Sequence, residues 1–144
     1  MNMALKKQFA QQYANTHVET SVSEATPHRL TEMLYEGVIK HLRVTKVFME
    51  QKNFEKKSEH VNKALTIIMS LRESVDLGKG GDVAQNLYAL YDYCYRQLSK
   101  ASFENDVTMI EEILGYIEGL SEAWSQMPDS YKNLSKEQIS TMKS

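Results

Sequence analysis

Little in this chain points to chemistry, and each scarcity removes a class of function. One cysteine, Cys94, occurs in 144 residues. No internal disulfide is possible, and a reducing cytoplasmic setting is expected. No charged-then-apolar leader pattern occurs between Met1 and Ala14, which fits the same expectation. The longest apolar runs are a few residues, too short to span a bilayer. The formal net charge is -2, with both signs spread along the chain. Without a basic field, neither nucleic acid nor an anionic membrane is an expected partner.

The usual catalytic groupings are missing as well. Di-metal sites in helical bundles need Glu-x-x-His pairs, yet none of His17, His28, His41 and His60 follows a glutamate by three residues. All four are expected at the surface or boundary, with no metal site. Gly78-Lys79-Gly80-Gly81 superficially resembles a phosphate loop. It lacks the Lys-Ser or Lys-Thr step, and Asp82 would repel an anion, so a structural turn is expected. Cys94 lies on an apolar stripe with no histidine positioned beside it, which describes a buried, inert thiol. Glu111, Glu112, Glu118 and Glu122 fall opposite the stripe of their helix and are expected in solvent. These readings predict no enzyme, no catalytic residue and no cofactor.

Helical periodicity fills the space between the only two prolines, Pro27 and Pro128. Thr26 with Pro27 predicts a helix start, because proline at the first position loses no intrahelical hydrogen bond. The first stripe is Leu30, Met33, Leu34, Val38, Leu42, Thr45, Phe48 and Met49, widened by Tyr35 and Ile39. Asn53 predicts the next cap, followed by Phe54, Val61, Ala64, Leu65, Ile68, Leu71 and Val75, with Arg72 snorkelling its charge to water. A glycine break at residues 78–81 then ends one helix, and Asp82 with Gln85 reads as a capping box for another. That third helix would bury Val83, Leu87, Leu90, Tyr91, Cys94, Leu98 and Ala101. Asn105 is the expected cap of a fourth, carrying Val107, Ile110, Ile113, Leu114, Ile117, Leu120 and Trp124.

Short connections force successive helices to run antiparallel. The fold class is therefore all-α: an antiparallel, up-down-up-down four-helix bundle over residues 27–127. Residues 1–26 form an N-terminal arm or short helix, with Phe9, Tyr13 and Val18 as its apolar side chains. Residues 128–144 form a polar tail, with Ser135 to Gln138 able to cap one further short helix.

Eight methionines, eight tyrosines and four phenylalanines exceed what a minimal bundle needs. Methionine and aromatic side chains suit a groove that accepts an amphipathic partner helix, and they also suit filling gaps in a core. Tyr88, Tyr91, Tyr93 and Tyr95 crowd one helix, where a dry core satisfies few hydroxyls. Some are expected at a wet rim or binding surface. Tyr13 and Val18 read either as an arm over such a groove or as a clasp on the core.

The chain resembles the flagellar secretion chaperone FliS family. The likeness lies in Tyr13, Val18-Glu19-Thr20, Ala25-Thr26-Pro27, Leu30 and Met33-Leu34-Tyr35-Glu36-Gly37. It is strongest across Leu71-Arg72-Glu73-Ser74-Val75-Asp76, Lys79-Gly80-Gly81-Asp82 and Ala84-Gln85-Asn86-Leu87-Tyr88-Ala89-Leu90-Tyr91-Asp92-Tyr93. Asn105-Asp106-Val107, Glu111-Glu112 and Glu122-Ala123-Trp124 complete it. The resemblance implies a bacterial cytosolic export chaperone that binds the disordered C-terminal region of flagellin. It would prevent premature polymerisation and help deliver flagellin to the type III export apparatus. The export gate's cytoplasmic domain and a co-chaperone are further partners to consider. A generic helical adaptor, or less expectedly a bundle metal enzyme, is the alternative. On the family pattern, Tyr13 and Val18 are expected to act as a lid, and Tyr35, Tyr88, Tyr91 and Tyr95 to contact the client. Gly80, Gly81, Asp82, Gln85 and Asn86 are expected to shape the turn and helix start.

Overall fold

The computed structural model describes residues 25–135 and 137–139. Four long helices form it: α1 (Pro27–Glu50), α2 (Phe54–Glu73), α3 (Gly81–Glu104) and α4 (Val107–Ser125). A one-turn helix, α5 (Asp129–Lys132), follows. The first cap forms as expected: Thr26 Oγ1 accepts the Arg29 N–H at 3.2 Å with Pro27 in the first turn. Asn53 Oδ1 accepts the Lys56 N–H at 3.2 Å and starts α2.

The α1–α2 and α3–α4 connections use one device. Lys52 and Asn105 take left-handed backbone, with φ of 56° and 53°. The next residue then donates its N–H back into the helix, Asn53 to Phe48 and Asp106 to Ala101, each at 2.9 Å, before capping the following helix with its side chain. Asn105 therefore ends α3 and does not cap α4. Asp106 does that, accepting from the Met109 N–H at 3.2 Å. Asparagine tolerates left-handed backbone better than most side chains, which decides the order of roles.

The central turn also departs from expectation. No glycine ends α2; Ser74 in right-handed backbone does, and Asp76 then accepts the Gly78 N–H at 3.0 Å. The left-handed glycine is Gly81, at φ 59°. Gly80 caps α3 without any side-chain bond, so the Asp82–Gln85 capping box does not form. Asp82 instead sits in the first turn, where its charge faces the positive end of the helix dipole. A Cβ at Gly80 would run into Ala84 Cβ, so the turn needs glycine there to lie close on α3.

α1 packs on α2 and α4, α2 on α3, and α3 on α4 more lightly. Cross-links fix the directions. His28 meets Trp124 while Arg43 reaches Glu118 and Lys46 reaches Glu111, so α1 and α4 are antiparallel. Lys57 meets Ser102 while Arg72 meets Asp92, so α2 and α3 are too. The result is the up-down-up-down bundle. Val38, Leu42, Ile68, Cys94, Leu98, Ile110, Ile113 and Ile117 fill its centre.

Some expected core positions lie outside. Phe54 is 53% exposed and Val83 76%. Phe54 opens α2 beyond the main packing, its ring covering the Lys57 ammonium at 5.1 Å. Val83 extends past the C-terminus of α2 at Glu73, which leaves nothing for it to pack on from that helix. Conversely, His28 and His41 are buried, not at the surface. Each is held by a polar partner, Trp124 O at 2.8 Å and His60 Nδ1 at 3.0 Å, that makes imidazole burial tolerable. Arg72 does not snorkel. Asp92 binds it at 2.9 Å, and the Tyr88 and Tyr95 rings flank it at 5.8 and 5.6 Å.

Candidate functional site

At one end of the bundle the helices part around an apolar pocket of about 840 Å³. The N-terminal turns of α1 supply Pro27, His28, Leu30, Thr31, Leu34 and Tyr35. The end of α2 and its turn give Leu71, Ser74, Val75, Asp76 and Gly80, and α3 gives Val83, Ala84, Leu87 and Tyr91. Trp124, Met127, Tyr131, Leu134 and Ile139 close the remaining side. The pocket lies where α2 has ended at Ser74 and its turn into α3 faces the first turns of α1 and the end of α4.

Its floor is a tyrosine pair. Tyr35 and Tyr91 are 1% and 2% exposed, and their hydroxyls bond each other at 2.6 Å. Burial is the main cause that pushes both phenols above their ordinary range, with the mutual bond opposing it at Tyr35 and adding to it at Tyr91, so both stay neutral. Each hydroxyl satisfies the other in a dry interior. Tyr91→Phe should therefore cost about 1–3 kcal/mol, because it orphans the Tyr35 hydroxyl. Adding Tyr35→Phe should recover part of that loss. A urea double-mutant cycle measures this, and purely additive losses would show that the bond contributes nothing.

One wall is a two-way lock between α1 and α4. Trp124 Nε1 donates to His28 O at 3.0 Å, His28 Nε2 bonds Trp124 O at 2.8 Å, and the rings stack at 5.0 Å. Tyr35 meets the indole edge-on at 6.3 Å. The pocket thus combines a rigid aromatic base with aliphatic sides, the composition that suits an apolar helix face.

Of the residues singled out from sequence, the fold brings Tyr35, Tyr91 and Gly80 to this pocket. Tyr88 and Tyr95 lie against Arg72, towards α2. Gly81, Asp82, Gln85 and Asn86 are exposed along the start of α3. Tyr13 and Val18 lie outside the described residues. Sequence reasoning overlooked His28 and the pocket role of Trp124, whose relation spans the whole bundle. It also missed Tyr131, Leu134 and Ile139, whose short, isolated apolar pattern gave too little signal.

Two polar groupings lie elsewhere. Glu112, expected in solvent, accepts from Tyr93 and Gln97 at 3.1 and 3.3 Å across the α3–α4 seam, and from Tyr116 of its own helix at 3.2 Å. Its helix face turns towards α3, and three donors hold it there. Cys94 is fully buried, and burial followed by the Glu112 charge pushes its thiol up to about 12. Such a thiol is a poor nucleophile. Among the described residues, no three His, Cys, Asp or Glu side chains gather to hold a metal ion. Among them too, no helix is long and apolar enough to cross a membrane.

An all-helical bundle with an apolar cleft at one end has the form of a binding protein, with no catalytic grouping at the cleft among the described residues. Comparisons with known proteins narrow the class. The model of the family described as flagellar protein FliS matches residues 9–131. The flagellar secretion chaperone FliS of Vibrio cholerae is 37% identical over 129 residues, covering 90% of this chain and 95% of its own. The Salmonella typhimurium FliS chaperone is 41% identical over 116 residues, covering 80% and 86%. A crystal structure of a bacterial flagellar chaperone superposes with a TM-score of 0.65 at 18% identity, covering 80% of this chain and 94% of that one, which supports the fold. The chain belongs to the FliS family of flagellar secretion chaperones. It is a chaperone and not an enzyme.

Proposed function

We propose that this chaperone works in the bacterial cytoplasm and binds the disordered C-terminal region of flagellin. By doing so it prevents premature polymerisation and helps deliver the subunit to the type III export apparatus. The observation that carries the reading is the apolar pocket of about 840 Å³ at the end of the bundle. A disordered segment that folds as an amphipathic helix would bury its apolar face there, and its polymerising surface would be covered. Ordering the segment costs roughly 2–5 kcal/mol, which leaves a complex that the export machinery can undo.

In this reading Tyr35 and Tyr91 meet the client through their ring edges at the pocket floor, and Tyr88 and Tyr95 form a second contact beside Arg72. Tyr13 and Val18 act as a lid that yields to the client. The export gate's cytoplasmic domain and a co-chaperone remain further candidate partners for the loaded complex.

The test is titration calorimetry with full-length flagellin and with flagellin lacking its C-terminal helices. Binding should be lost with the truncated client, and binding that persists would overturn the reading. Removing the residues before Val18 should change affinity while leaving the thermal midpoint in place. Unchanged affinity would remove the lid.

A further inference from the structure

Between Asp129 and Ile139 the sequence is polar except at Tyr131, Leu134 and Ile139, and all three line the pocket. Nothing else in the segment's composition accounts for that coincidence. Within the segment, α5 forms a single turn, and Ser135 and Gln138 form a reciprocal cap at 2.8 and 3.1 Å. Two short helical turns thus present apolar side chains to the cleft, as an incoming amphipathic helix would.

A hydrogen bond ties α5 to the start of α1. Thr26 Oγ1 donates to Lys132 O at 2.9 Å. The Lys132–Asp129 pair, at 3.9 Å and well exposed at Asp129, lies within the segment itself and ties it to nothing. Tyr131 is 49% exposed, while Leu134 and Ile139 are only half-buried. The three apolar side chains are only partly covered, and ordering about a dozen backbone residues costs entropy, which makes the segment one that a competing helix can displace. None of the eight residues that fill the bundle centre lines the pocket, so opening would leave that centre in place.

We propose that the segment after Met127, in residues 128–135 and 137–139, is a displaceable strap, an intramolecular competitor that closes one side of the pocket until a client helix replaces it. The competitor is covalently tethered, so it weakens every client by one factor, set by the fraction of molecules that are open. The strap thereby excludes weak apolar peptides. It is anchored at Thr26, the residue that also caps α1 by accepting the Arg29 N–H. The client effect rests on the function proposed above; the closed strap itself does not.

Trp124 lines the pocket and is the chain's only tryptophan, so its acrylamide quenching reports closure without any client. The full-length variant Tyr131→Ser/Leu134→Ser/Ile139→Ser should expose Trp124 to quenching. It should also bind a flagellin C-terminal peptide roughly three- to tenfold more tightly, as expected when a mostly closed site becomes fully available. Thr26→Asp keeps the cap acceptor but removes the donor to Lys132, and should move both readouts the same way. Thr26→Asn, which retains a donor and an acceptor, should move neither. Unchanged Trp124 quenching in the triple variant would overturn the strap, as would unchanged or weaker peptide binding. If neither protein binds flagellin, the proposed function falls, while Trp124 quenching still decides whether the strap closes.

Discussion

Val83→Glu should weaken flagellin binding by at least roughly tenfold without unfolding the protein, and Leu87→Glu should weaken it further. Val83 is 76% exposed on the pocket rim, and Leu87 is half-buried one turn deeper on the same helix. An apolar anchor that loses its cover forfeits about 1.5–3 kcal/mol, or a factor of about ten to a hundred in affinity. A carboxylate in the cleft adds a desolvation cost. Stability is protected at position 83, since a glutamate in the first turn of α3 faces the favourable end of the helix dipole. Calorimetric titration and thermal melts of both variants check this. Wild-type affinity in both would mean that the pocket does not receive the client.

Acid should destabilise the bundle through one histidine pair. His41 on α1 is 3% exposed, bonds His60 of α2 through Nδ1 at 3.0 Å, and is held down to about 4. Burial is the main cause, followed by the charge of His60 and then of Lys40 and Lys63. His60 is lowered as well, by burial and then by Lys63, with Glu59 partly opposing. The unfolded chain takes up a proton as pH falls through about 6.5, whereas the folded chain resists until near 4. The unfolded form therefore binds more protons across that window, and stability falls as pH drops from 6.5 towards 4. The expected loss is on the order of 3 kcal/mol. His41→Gln should start less stable at neutral pH but show a flatter slope between pH 6.5 and 4. Urea midpoints across that range measure it, and equal slopes in the two proteins would rule out the pair as the source. Carboxylate titration contributes to both proteins alike, so the comparison isolates the imidazoles.

How far the sequence could be read depended on whether a signal was local. Thr26, Pro27 and Asn53 announced their helix starts because capping involves residues within one turn. Asn105, the expected cap of α4, ends α3 instead and leaves the cap to Asp106, because both side chains suit a helix boundary and only the backbone angle separates left-handed from extended. Periodicity puts both Tyr35 and Tyr91 on apolar stripes, and Tyr91 also falls in a crowd of four rings of which some are expected at a wet rim. Their shared hydroxyl bond links positions 56 residues apart, which no periodicity encodes. The same reason hid the His28–Trp124 lock, which joins residues 96 apart.

The spacing of apolar residues and the short connections determined four amphipathic helices, and with them the antiparallel bundle, because an apolar stripe has nowhere else to go in water. The family pattern could be read at the same level. Tertiary structure alone decided that the bundle gapes at one end, that two tyrosines floor the gap, and that the polar tail folds back across it. Those features depend on where helix ends fall in space, and a one-dimensional pattern records the face of a helix but not what stands opposite it.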